Sequence, residues 1–150
     1  MSSIPPDARV RAGFLIPLRI TSLVLLLVYL WQPISAGLLV TGRVGFVVWH
    51  DLGAGIATPV AILQVVFAIL LRWPGGGTAR PIIGAAVQAV LIVVQEIVGG
   101  SREFAIHFPL GVALFGGGLM YFVMAWFTAD IRRRYHGLPA PAPARPEGAR

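Results

Sequence analysis

Apolar residues run along this chain in four long blocks, and the breaks between the blocks are built from arginine, glycine, proline and histidine. Each block is about as long as the ~20 residues an α-helix needs to cross the hydrocarbon of a bilayer. The first opens near Phe14 and runs through the stretch from Leu23 to Trp31, with Pro33 kinking or ending it. Tyr29 and Trp31 suit a membrane interface, and a span over 14–38 is expected. The glycine-rich stretch 34–49 is expected to finish that helix and form a loop around Arg43. A second span is expected over 50–71, stopped by Arg72-Trp73-Pro74 and three glycines that cannot prolong a helix. The third is expected over 81–98, before Gly99-Gly100, and the fourth over 104–131, before Arg132-Arg133-Arg134. The basic start could also introduce a cleaved signal sequence, but Ile34 is a poor residue for the small position ahead of a cleavage site.

Composition turns this pattern into a class. With 57% hydrophobic residues, 12% charged residues and a mean hydropathy of +0.80, the chain cannot present an ordinary soluble surface. Its 150 residues hold four spans and short connections, with no room for a soluble catalytic domain. The expected fold is an all-α integral membrane four-helix bundle at 1–136, followed by a disordered Pro/Ala-rich tail at 137–150. A net charge of +6 resides on arginines beside the apolar blocks, which marks them as topology signals and not as a nucleic-acid surface. Arg9, Arg11, Arg19, Arg72, Arg80 and Arg132 to Arg134 fall on one side, Arg43 and Arg102 on the other. The positive-inside rule then places both termini in the cytoplasm of a multi-pass protein of the cell inner membrane or plasma membrane. Arginine without lysine, with abundant Ala, Gly and Pro, is associated with bacteria of high genomic GC content.

Absent cysteine leaves only His, carboxylate or Met to hold a metal or cofactor. Folded about its middle, the chain reads as two similar helical hairpins. Each carries a glutamine near the outer end of its first helix, a histidine opening its second and a glycine soon after: Gln32, His50 and Gly53, then Gln95, His107 and Gly111. Spans two and four run in the same direction, so the two imidazoles lie at similar depth and could share one ligand. Equally, both could sit in the headgroup zone without a ligand. His136, beyond the arginine cluster, reads as solvated tail. Small residues along spans two and four, including Gly116 to Gly118, leave room either for close helix approach or for a flat macrocycle.

Glu96 is the carboxylate lying well inside an apolar block. It is read either as pairing with Arg102 at the interface, or as orienting an imidazole or relaying a proton. Arg43 and Arg102 sit among lipid headgroups or pair with haem propionates. Gly75 to Gly77 lacks the Lys-Ser or Lys-Thr of a phosphate-binding loop, and no Ser-His-Asp triad can be located.

The stretch Gln32-Pro33-Ile34-Ser35-Ala36-Gly37 then His50, with Gln95-Glu96-Ile97-Val98-Gly99 then Ile106-His107-Phe108-Pro109-Leu110-Gly111, resembles the repeated four-helix units of haem A synthase and other small b-type haem membrane proteins. In those units a Gln-and-Gly stretch ends one helix and a His opens the next. The resemblance covers most of 23–127 and implies His50 and His107 as axial ligands of haem b near the outer face. Gln32, Gln95 and Glu96 would then stand behind those ligands. The chain has one such unit where that enzyme has two, and Asp51 follows His50 in place of the flanking glutamate and arginine. Electron transfer or redox sensing is therefore expected in place of hydroxylating chemistry, with no catalytic residues. The competing expectation is a non-enzymatic structural or accessory subunit without cofactor, packed on itself or on a membrane partner through its glycine faces. A small transporter lined by Glu96 and the glutamines ranks last.

Overall fold

A computed structural model describes residues 12–127 and gives four α-helices: α1 (Ala12–Val40), α2 (Phe46–Arg72), α3 (Arg80–Gly100) and α4 (Phe104–Phe127). All four are long and apolar enough to cross a membrane, and together they fit a multi-pass membrane protein. They form an up-and-down bundle in which each helix packs on its two sequence or ring neighbours: α1 on α2 and α4, α3 on α2 and α4.

The interior is a narrow stripe on each helix, repeating every three or four residues. On α2 it is Gly53, Ala57, Ala61, Gln64, Ala68 and Leu71. On α3 it is Pro81, Ala85, Gln88 and Ile92, and on α4 it is Leu114, Gly118, Tyr121 and Ala125. A stripe of this period is what neighbouring helices of an up-and-down bundle bury against one another. Small residues dominate it because close approach, not hydrophobic exclusion, holds helices together in lipid. The Tyr29 ring rests on Gly118 and the Tyr121 ring on Gly84, where a Cβ would meet ring carbons. Large aliphatic residues such as Leu27, Val66, Val90 and Met120 face outward instead.

The largest shift from the expected bounds is at the first connection. The stretch 34–49 does finish the first helix and turn at Arg43, but α1 runs to Val40 and α2 already starts at Phe46, four residues ahead of His50. Pro33 lies inside α1. It removes one N–H from the helix ladder but does not break it. The neighbouring Ser35 hydroxyl bonds back to the Trp31 and Gln32 carbonyls at 3.1 and 3.0 Å. The turn is a tight cap at Gly42, with Gly42 N–H donating to Leu39 O and Arg43 N–H to Leu38 O. The same cap closes α3, where Arg102 N–H donates to Gly99 O and Glu103 N–H to Val98 O. Here Arg102 adopts the left-handed conformation (φ 62°) that Gly42 takes in the first hairpin (φ 94°). The third helix runs over 80–100, two residues beyond its expected end. The end of the fourth span at 128–131, Arg132 to Arg134, His136 and the tail 137–150 lie outside the described residues.

Candidate functional site

The two hairpins bring His50 and His107 together. Each lies one turn into its helix, α2 and α4, at the end of the bundle where the hairpins turn. Their ring centroids are 6.2 Å apart with planes at 62°. The equal depth expected from the sequence is thus matched by a shared position between the helices.

Each histidine is seated by its own hairpin, and in parallel ways. Gln32 Nε2 donates to the His50 carbonyl at 3.1 Å, and Gln95 Nε2 to the His107 carbonyl at 2.9 Å. Glycine makes room for both amides. A Cβ at Gly53 would run into the Gln32 amide, and one at Gly111 would lie 3.0 Å from Gln95 Nε2. The imidazoles are then oriented through Nδ1. His107 Nδ1 lies 3.1 Å from the Gln95 carbonyl, which only accepts, so the proton of the neutral ring is on Nδ1. His50 Nδ1 lies 3.1 Å from the Ser35 hydroxyl. Because that hydroxyl donates to carbonyls of its own helix, it accepts from Nδ1. Both Nε2 atoms are left with a lone pair. The nearest polar atom to one of them, Gln95 Nε2 at 3.5 Å from His107 Nε2, is at the limit of a hydrogen bond.

Two adjoining cavities flank the pair, of about 340 and 70 Å³, and both are lined by Gln32, His50, Gln95, His107 and Gly111. Beyond these shared residues the walls are almost wholly apolar. Gln32 Oε1 and Gln95 Oε1 are buried without a donor. The site therefore offers lone pairs from two imidazoles and two amides, an arrangement suited to a Lewis acid and poorly suited to an anion.

The remaining expected site residues do not contact the imidazoles as expected. Glu96 lines the smaller cavity, but it does not orient an imidazole, since both Nδ1 atoms are held by Ser35 and Gln95 O. Its carboxylate accepts from Thr58 Oγ1 at 2.6 Å, across the α2–α3 seam, in place of the expected pairing with Arg102. Arg43 and Arg102 are exposed in the hairpin turns and line neither cavity. Sequence reasoning missed Ser35 as a histidine partner, although its spacing of 15 residues from His50 matches a helical hairpin. It also missed Gln64 and Gln88, buried on the interior stripe; Gln88 Oε1 accepts from Tyr29 OH at 3.4 Å, and neither amide atom of Gln64 has a partner.

A metal–imidazole bond is about 2.0 Å, and a ring centroid lies roughly 1.2 Å from its nitrogens, so two imidazoles on opposite faces of one metal hold their centroids about 6.4 Å apart. The observed 6.2 Å fits that spacing. Among the described residues no cluster of three or more His, Cys, Asp or Glu exists that would hold a bare ion. Compared with protein-family models, with curated proteins and with solved structures, the chain matches none.

Proposed function

We propose that this membrane protein is a non-enzymatic haem b protein, in which His50 and His107 are the axial ligands and the function is electron transfer or redox sensing. The observation that carries this reading is the 6.2 Å spacing of two imidazoles whose Nδ1 atoms are both engaged, which leaves a lone pair on each Nε2, that of His107 meeting only the long 3.5 Å contact from Gln95 Nε2. Cavities beside the pair, walled mainly by apolar residues apart from Glu96 in the smaller one, favour a flat macrocycle over a bare ion, which would leave them unfilled.

Haem supplies one-electron chemistry when bound, and the protein tunes it. Ser35 and the Gln95 carbonyl accept the Nδ1 protons, fixing the tautomer and strengthening Nε2 as a donor to iron. Gln32 and Gln95 pin the backbone turns that carry the ligands. Wall residues such as Ile92, Leu114 and Phe115 keep water from the centre. In this reading Arg43 and Arg102, in the hairpin turns, are the cations available to propionates. The arginine distribution orients the histidine end outward, with both termini in the cytoplasm of a cell inner membrane or plasma membrane. The electron partner is another membrane component, or a second copy of the chain.

The test is an absorption spectrum of detergent-purified protein from haem-supplied cells, oxidised and dithionite-reduced. The wild type is expected to show a b-type reduced spectrum, and His50→Ala and His107→Ala each to lose it. A colourless, monodisperse wild type would overturn the reading and favour an accessory membrane subunit without cofactor.

A further inference from the structure

The two flanks of the histidine pair are closed differently. On the α2–α3 side the seam is tied at the level of the site by the Thr58–Glu96 hydrogen bond, and a carboxylate stands in the cavity wall. On the α1–α4 side no hydrogen bond joins the two helices at this level among the described residues. That seam is fastened only deeper in the bundle, by the Tyr29 ring against Gly118 and by Arg19 Nε donating to Ala125 O at 2.9 Å. Above these contacts lies the 340 Å³ cavity, and Pro33, Gly37, Val40, Phe108 and Val112 in its walls are exposed on the lipid-facing surface. No residue of the hairpin turns 41–45 or 101–103 lines either cavity. The larger cavity thus reaches the exposed face between α1 and α4 without a turn residue in its wall.

We propose that the α1–α4 seam is a lateral portal through which the histidine pair takes up haem dissolved in the bilayer. The proposal rests on the haem reading above. Haem is a flat, largely apolar ring with two carboxylates at one edge, so it partitions into membranes and would meet an apolar mouth there. Ala36 and Gly37 leave space between Pro33 and Val40 in the α1 lip: a Cβ at Gly37 would have nothing within 4 Å. On the opposite side, the Glu96 carboxylate would repel the propionates. The asymmetry between the seams therefore gives the ring one favourable direction of approach.

The experiment loads haemin into liposomes containing wild-type protein made without haem supply, and follows the appearance of the haem–protein absorption band. Gly37→Trp and Val112→Trp fill the mouth from opposite lips without touching the ligands. Each is expected to slow loading by about tenfold or more, the effect of roughly 1.4 kcal/mol added to the barrier, while reaching the wild-type spectrum. Val112→Phe, a smaller increment, should be slowed less and guards against a tryptophan variant that fails to fold. Leu119→Trp, exposed on α4 but lining neither cavity, should load at the wild-type rate. If the wild type binds haem and the mouth variants load as fast as it does, the portal is wrong and the haem reading stands. A wild type that never binds haem would overturn both.

Discussion

Replacing Gly99 with alanine would put a methyl group where the His107 imidazole now rests. The new Cβ would lie 2.7 Å from Cε1 and 2.8 Å from Nδ1 of that ring. Since carbon contacts settle near 3.5–4.0 Å, the ring must retreat by about 1 Å. The His107 Nδ1 bond to Gln95 O, now 3.1 Å, would lengthen beyond hydrogen-bonding range. Losing the outer partner of a histidine ligand typically costs about 10–100-fold in metal affinity, and that range is the loss expected here. Gly100 is a built-in control, because a Cβ there would have nothing within 4 Å. Both substitutions gain up to about 1 kcal/mol of helix propensity, so a change confined to Gly99→Ala cannot be assigned to the backbone. The assay is a haem titration of the wild type and both variants in the same detergent, read by absorbance. Equal affinities in all three proteins would show that the imidazole is not held against Gly99 and that Nδ1 does not depend on the Gln95 carbonyl.

Three further outcomes follow from the same geometry. Ser35→Ala removes the acceptor for His50 Nδ1 and should weaken haem binding by about 10-fold or more with the fold intact, measured in the same titration. Gln64→Leu replaces a buried amide that has no partner on either atom, so unfolding in mixed micelles should show a gain of about 1–2 kcal/mol; a loss would mean that the amide is satisfied in the folded protein. Arg102→Gly relieves a left-handed residue at the α3 cap and should raise thermal stability by about 1 kcal/mol, detected by circular dichroism.

The spans were legible because length and apolarity alone decide them, and four blocks gave four helices. The bounds of the α1–α2 connection were less legible: the loop around Arg43 was expected from the glycine-rich stretch 34–49, but that composition does not show that the backbone cap at Gly42 compresses it to 41–45 and lets α2 start at Phe46. Of the site, Gln32, His50, Gln95 and His107 stood out as matched polar residues in apolar surroundings. Their mutual contacts did not, because the acceptor for His107 is the backbone oxygen of Gln95, which no side chain encodes. Glu96 finds Thr58 on a helix 38 residues away, and nothing in its local sequence announces that neighbour. The buried glutamines were overlooked because each lies singly within an apolar run, where the interior stripe is marked by small size more than by polarity.

Among the described residues, the hydrogen bonds that position each imidazole stay within a single hairpin: Gln32 and Ser35 serve His50, and Gln95 serves His107. During biogenesis, the first hairpin can therefore leave the insertion machinery with its histidine already oriented and the His50 carbonyl and Nδ1 already partnered. It need not wait, partly unpaired in lipid, for the second to be synthesised. The centre would come into being by collision of two finished halves, and the last step of maturation would be a docking event in the plane of the membrane.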